Sequence, residues 1–138
     1  MILDDIKSNP NLKQIIRLVY NSYGVITPVS FPMMLAAAIP AHPRFKKYNR
    51  HCIVISGGRE PNHYQQLPGH QFLHTIGQMK CCESGGCWKS RTVQLDDKDE
   101  KNKSLCLHPI KNNMNQYVPE CMMRITPEEV IQTIKRLI

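Results

Sequence analysis

Cys52-Ile53-Val54-Ile55-Ser56-Gly57-Gly58 is a continuous apolar run that stops at a serine and two glycines. Such a run, bounded by a turn signal, predicts a short strand buried on both faces, as strands of parallel sheets are. Upstream, Val25-Ile26 reads as a similar strand running into Thr27-Pro28. Between the two lies SFPMMLAAA, residues 30–38, where Ser30 is a good N-cap, Pro32 suits the first turn and Met33 onward are strong helix formers. Residues 41–51 are polar and basic, which predicts a loop, and 71–76 supply a third, short strand. Before all of these, Leu12, Ile15, Ile16 and Val19 follow helical spacing, with Lys13, Gln14 and Arg17 on the other side, and predict a helix over 11–20 ended by Gly24. Strand, turn, helix, strand, turn is the rhythm of a parallel α/β layer.

At the other end, Thr126, Pro127 and Glu129 form a capping box with proline at the first helical position. Val130, Ile131, Ile134, Leu137 and Ile138 then supply one apolar face of a closing helix. Between the α/β part and this helix, the chain is rich in Cys, Gly, Lys and Asp and shows little periodicity. The reading therefore divides the chain into residues 1–76, 77–122 and 123–138. The run DDKDEKNK, residues 96–103, is mixed in sign and reads as a solvated loop.

Composition narrows the function classes. A chain of 138 residues with 41% hydrophobic and 21% charged content holds one ordinary core, not a disordered tail or a charged coiled coil. Three prolines interrupt the longest apolar stretch, residues 25–40, so no membrane-spanning helix is expected. MILDDIKSNP carries two aspartates and no apolar h-region, so a cytoplasmic, reducing location is expected. The net charge of +7 suits a phosphate-bearing partner without choosing one.

Five of the six cysteines, Cys81, Cys82, Cys87, Cys106 and Cys121, fall in the second half. In a reducing compartment such a cluster points to metal before disulfides. The spacing suggests a tetrahedral four-thiolate site of Cys82 (or Cys81), Cys87, Cys106 and Cys121, with the Glu83-Ser84-Gly85-Gly86 turn aiming amides at sulfur. In this reading Trp88 shields one side, and Lys80, Lys89 and Arg91 offset thiolate charge. Cys52, inside the apolar run, reads as a core residue. In parallel sheets ligands sit at the carboxyl ends of strands, which makes 27–33 and 56–64 the candidate binding turns. Gly57 and Gly58 allow close backbone approach, Arg59 offers a fork for a diphosphate and Glu60 an acceptor for sugar or ribose hydroxyls. The plainer alternative is a tight turn with an Arg59–Glu60 surface pair.

Three segments carry a resemblance: GVITPVSFPMMLAAA (residues 24–38), CIVISGGREPNHYQ with HQFLHTIG, and the cysteine region from CC-x4-CW to PECMMRITPEEVI. Together they resemble the C-terminal half of bacterial glycosyltransferase family 9, the heptosyltransferase family, in its subgroup with a cysteine "iron finger". The resemblance implies a Rossmann-like half of a GT-B enzyme that holds a nucleotide-diphosphate sugar, typically an ADP-heptose. It implies donor contacts from Ser30 and the amide of Phe31, and from Gly57, Gly58, Arg59 and Glu60. It implies iron as well as zinc for the metal, and a fragment lacking the N-terminal, acceptor-side domain, so that the chain alone would be inactive. Val29, Ser30, Phe31 and Met34 stand where the family carries an acid, a small hydroxyl residue, glycine and a histidine, and only Ser30 keeps that chemistry.

The rival reading is a small metal-knuckle nucleic-acid-binding module, resting on the +7 charge and Trp88. The basic loop of Arg44, Phe45, Lys46, Lys47, Tyr48, Asn49 and Arg50 interleaves aromatics with bases as a nucleic-acid surface does, but reads first as a solvated loop over the cleft rim. Of the histidines, His63, His70 and His74 are expected near the Gly57-Gly58 turn, and His108 is an outside candidate for a metal ligand.

Overall fold

The computed structural model describes residues 10–45, 50–98 and 102–137. Its centre is a three-stranded parallel sheet in the order β1 (Gly24–Pro28), β2 (His51–Gly57), β3 (His70–His74). Val25 pairs with Cys52, Thr27 with Val54, and Val54 with Phe72, so alternate residues of the three strands share one face. Helix α2 (Phe31–Ala38) crosses over that face, where Met33, Ala36, Cys52 and Val54 form the buried core with Val25, Val29 and Phe72 packed against it. Helix α4 (Pro127–Leu137) packs against β2 on the other face, beside Ile26 and Ile53. The chain is thus an α/β fold with helices on both faces of a parallel sheet, and β2 is where the expected strand lay.

The predicted helices form, with informative differences. Helix α1 (Leu12–Asn21) starts at a capping box in which Asn11 accepts from the Gln14 amide and the Gln14 side chain accepts from the Asn11 amide. Helix α4 is capped by the Thr126 hydroxyl, which accepts from the Glu129 amide at 3.2 Å. Its expected apolar face is narrower than read: Thr133 is the buried residue and Ile131 is 48% exposed. Ile138 lies outside the described residues. Ser30 does stand at the N-cap of α2, but its hydroxyl makes no cap bond. It turns back to the Pro28 carbonyl at 3.2 Å and the Thr27 hydroxyl at 3.0 Å, since a buried neighbouring hydroxyl competes for it.

Arg50, read with its neighbours as part of a basic loop, is a structural tie. Its guanidinium donates to the carbonyls of Ile39 (2.6 Å), Pro40 (3.0 Å) and Tyr20 (3.3 Å), gathering the carboxyl ends of α1 and α2. A cation at helix C-termini answers their unpaired carbonyls. Lys46, Lys47, Tyr48 and Asn49 lie outside the described residues. The loop expected before β2 also holds one 3₁₀ turn, Pro43–Phe45.

In the cysteine-rich part, two three-residue strands that the sequence did not announce pair antiparallel, β4 (Pro109–Lys111) with β5 (Tyr117–Pro119). A single turn, α3 (Glu120–Met123), carries Cys121 and Met122 onto the end of β2. No helix among the described residues is long and apolar enough to cross a membrane.

Candidate functional site

β2 ends in a bulge at Ile55/Gly57, and Gly57 adopts φ +60, a left-handed conformation natural to glycine. What crowds the two glycines is protein. A Cβ on Gly57 would lie 2.6 Å from Met122 Sδ and 3.3 Å from Cys121 Sγ, and one on Gly58 would lie 3.0 Å from Cys82 Sγ. The close approach that the glycines permit is therefore that of the cysteine-rich segment. The Gly58 amide also hydrogen-bonds Cys121. The amide aimed at a sulfur thus comes from the strand end, whereas the Ser84-Gly85-Gly86 turn sends its following Cys87 amide to the Gly58 carbonyl at 3.1 Å.

A cavity of about 330 Å³ opens at the carboxyl ends of β1 and β2. The sheet contributes Pro28, Val29, Ser56, Gly58, Arg59 and Glu60, and the cysteine-rich part contributes Lys89, Arg91, His108 and four cysteines. Those four are Cys81, Cys87, Cys106 and Cys121. Cys82, the first-choice ligand, is not among them: it is fully buried, and its thiol donates to the carbonyls of Thr75 and Met79, both at 3.4 Å. The vicinal pair thus splits, one thiol into the core and one into the cavity.

Burial pushes the Cys81 thiol up to about 11, reinforced by the neighbouring thiols of Cys82, Cys87 and Cys121. Burial likewise raises Cys121, against the Gly58 amide, with Cys87, Cys106 and Cys82 adding to the rise. Among the described residues, no three or more His, Cys, Asp and Glu side chains stand as a group set to hold a metal ion. The donor chemistry, four sulfurs facing one space, suits a soft tetrahedral ion. The inward draw to ligand distance is not preformed.

The cations of the cavity are partly committed. Arg59 pairs with Glu60 at 2.7 Å, the plainer alternative for this turn, and Glu60 also accepts from Gln65 Nε2 at 2.6 Å. Arg91 pairs with Asp97 at 2.8 Å. Lys89 donates to the Lys103 carbonyl, a neutral partner. Ser30, Phe31 and Gly57 are not among the lining residues; the Ser30 hydroxyl is held as described, and Phe31 is exposed.

The other expected residues scatter. Lys80 is exposed. Trp88, expected to shield a sulfur, is 53% exposed and meets Tyr64 edge-on. His70 does not join His63 at the turn, because it opens β3 at the opposite, amino end of the sheet opposite Cys52. It is buried, and neither ring nitrogen has a hydrogen-bond partner among the described residues. His74, paired with Gly57, does reach the carboxyl end. His108 lines the cavity. Cys52 is a core residue as read, and burial pushes its thiol up to about 11.

No protein-family model, curated protein or solved structure matches the chain.

Proposed function

We propose that this chain is the nucleotide-sugar-binding part of a glycosyltransferase of the heptosyltransferase type, its Rossmann-like layer braced by a cysteine-bound metal. The observation that carries the reading is the cavity at the carboxyl ends of parallel strands, where Arg59, Lys89 and Arg91 meet the backbone of Gly58. Parallel α/β sheets bind ligands at that edge. Its volume sits at the lower end of small-molecule sites, which span roughly 300–1,000 Å³. In this reading Arg59 and Lys89 take the diphosphate, and their charge favours its departure as the leaving group. A facing GT-B domain supplies the acceptor side. Ser30 and Phe31 contribute at most from outside the cavity wall.

The metal, zinc or iron, would be held by Cys81, Cys87, Cys106 and Cys121, with Cys82 replaced by its neighbour. Bound there, it would cross-link the Lys80–Cys82 turn, the loop after Gly86, the segment before β4 and α3. Metal content of the purified chain tests this part: Cys81→Ser should empty the site and Cys82→Ala should not.

The nucleotide part is tested by titrating ADP. A hydrogen bond to a charged group contributes roughly 1.5–3 kcal/mol, so Arg59→Ala should weaken ADP binding about 10- to 150-fold. Unchanged ADP affinity, together with salt-sensitive binding of a short oligonucleotide, would favour the nucleic-acid module instead.

A further inference from the structure

Trp88 is the chain's single tryptophan, and it is held in an unusual way. Its φ is +56, a conformation in which a bulky side chain is a genuine outlier. Two main-chain bonds fix it there: the Cys87 amide to the Gly58 carbonyl at 3.1 Å and the Trp88 amide to the Arg59 carbonyl at 2.8 Å. Gly86 lies so close beneath that a Cβ would stand 2.8 Å from the Arg59 carbonyl oxygen. The turn after β2 and the cysteine loop are thus clamped together, and the clamp drives the indole outward.

Burial does not explain that strain, since Trp88 is 53% and Tyr64 65% exposed. The two rings meet at 84° with centroids 5.5 Å apart, and His63 leans on Tyr64 at 4.7 Å. The result is a corner of aromatic faces open to solvent. It sits at the rim of the cavity, because Cys87 and Lys89, which flank Trp88, and Arg59, which is bonded to it, all line that cavity. Strained residues held by their surroundings cluster at ligand sites.

We propose that the Trp88–Tyr64 corner is a base-stacking subsite, taking the nucleobase of a nucleotide whose phosphates lie in the adjoining cavity. The assignment rests on the nucleotide reading of that cavity and adds where the base goes. A ligand that touches both parts must join a planar ring to an anion, which is the chemistry of a nucleotide. A saccharide would need free acceptors for its hydroxyls beside the rings, whereas Glu60 is already committed to Arg59 and Gln65. A bare π-face accepts any base, and stacking on one contributes enough to measure.

The single tryptophan makes the test direct. The whole chain is titrated with inorganic pyrophosphate, ADP, adenosine and glucose, following calorimetry and tryptophan fluorescence together. ADP should bind and quench Trp88, and pyrophosphate should bind without quenching. Trp88→Ala should weaken ADP about 5- to 150-fold (roughly 1–3 kcal/mol) and leave pyrophosphate unchanged. Trp88→Phe should keep most of the affinity, and Tyr64→Ala, remote from the strained backbone, should give a smaller loss. Equal affinity for ADP and pyrophosphate, with no quench, overturns the stacking subsite and leaves the phosphate cavity standing. Binding of neither overturns the nucleotide reading and the subsite with it. Quenching by glucose but not by ADP assigns the rings to a saccharide and overturns the base.

Discussion

The sheet half and the cysteine-rich half of this chain are held together by different means. In the sheet half, Met33, Val54 and Cys52 are enclosed between α2 and three parallel strands, and the hydrophobic effect acts on a continuous cluster. In the cysteine-rich half, Val93, Leu95, Leu107 and Met114 face solvent, and the regular pairing is one three-residue ladder. Turns, main-chain bonds and a set of facing thiols define that half. A segment that encloses so little apolar surface calls for a cross-link, and small structures commonly recruit a metal or disulfides for that purpose. The difference explains why the cysteines lie where they do: Cys52 is spent on packing, and four of the other five turn to the cavity.

The largest effect should come from the sheet side. Met33 has no exposed surface, and truncating a buried methionine to alanine costs about 2–5 kcal/mol. Met33→Ala should show that loss in urea unfolding, while Leu107→Ala, in the exposed half, should stay within about 0.5 kcal/mol. Equal losses at the two positions would erase the distinction between the halves.

The seam between them comes next. Gly57→Ala places a Cβ at positive φ and against Met122, which should cost roughly 1–3 kcal/mol. Because the crowding atom is the end of a flexible side chain, Met122→Ala should recover part of that loss in a double-mutant cycle. Additive effects would mean that the backbone conformation alone, and not the docking of α3, fixes the glycine.

How much of this was legible in the sequence follows the same division. The run 52–55 gave β2 because four apolar residues before Ser-Gly-Gly have few other readings, and capping residues gave the start of α4. Regular periods of this kind are set locally. The role of Arg50 was not legible, since its carbonyl partners come from residues 20, 36, 39 and 40, and nothing in a basic stretch marks which cation turns inward. Nor was the choice between Cys81 and Cys82, which depends on one 3₁₀ turn that buries Cys82 and leaves Cys81 on the cavity wall. The β4–β5 hairpin is too short for a period to show. The glycines were legible as close-approach positions, but what approaches is the cysteine-rich segment: Cys121 and Met122 at Gly57, from more than sixty residues away, and Cys82 at Gly58.

A third prediction uses alkali. Burial raises Cys52 from 9.0 to about 11, so the folded protein keeps that proton where the unfolded chain loses it. Stability should then fall between pH 9 and 11 by about 1.4 kcal/mol per pH unit for this thiol. Cys52→Ala should flatten that part of the slope. An unchanged slope would place the alkaline sensitivity in the cavity thiols, where Cys81 is raised as well.

Acid tests the sheet half from the other side, with the smallest effect. His70 is buried at the start of β3, both ring nitrogens lack hydrogen-bond partners among the described residues, and burial lowers its pKa below the ordinary 6.5. A depressed histidine binds its proton less readily in the folded state than in the unfolded chain. Below pH 6.5 the unfolded chain therefore holds more protons, and stability falls as pH drops toward the folded-state value, by at most ~1.4 kcal/mol per pH unit. Carboxylates add slopes of their own lower down, so the measurement is a difference: urea midpoints of the parent and of His70→Leu from pH 7.5 to 5. The leucine variant should lose less stability on acidification and should be no less stable at pH 7.5, because it removes two buried nitrogens without a hydrogen-bond partner among the described residues. Parallel curves would show that His70 finds water or a partner on protonation, and the acid sensitivity of the chain would then belong to its carboxylates.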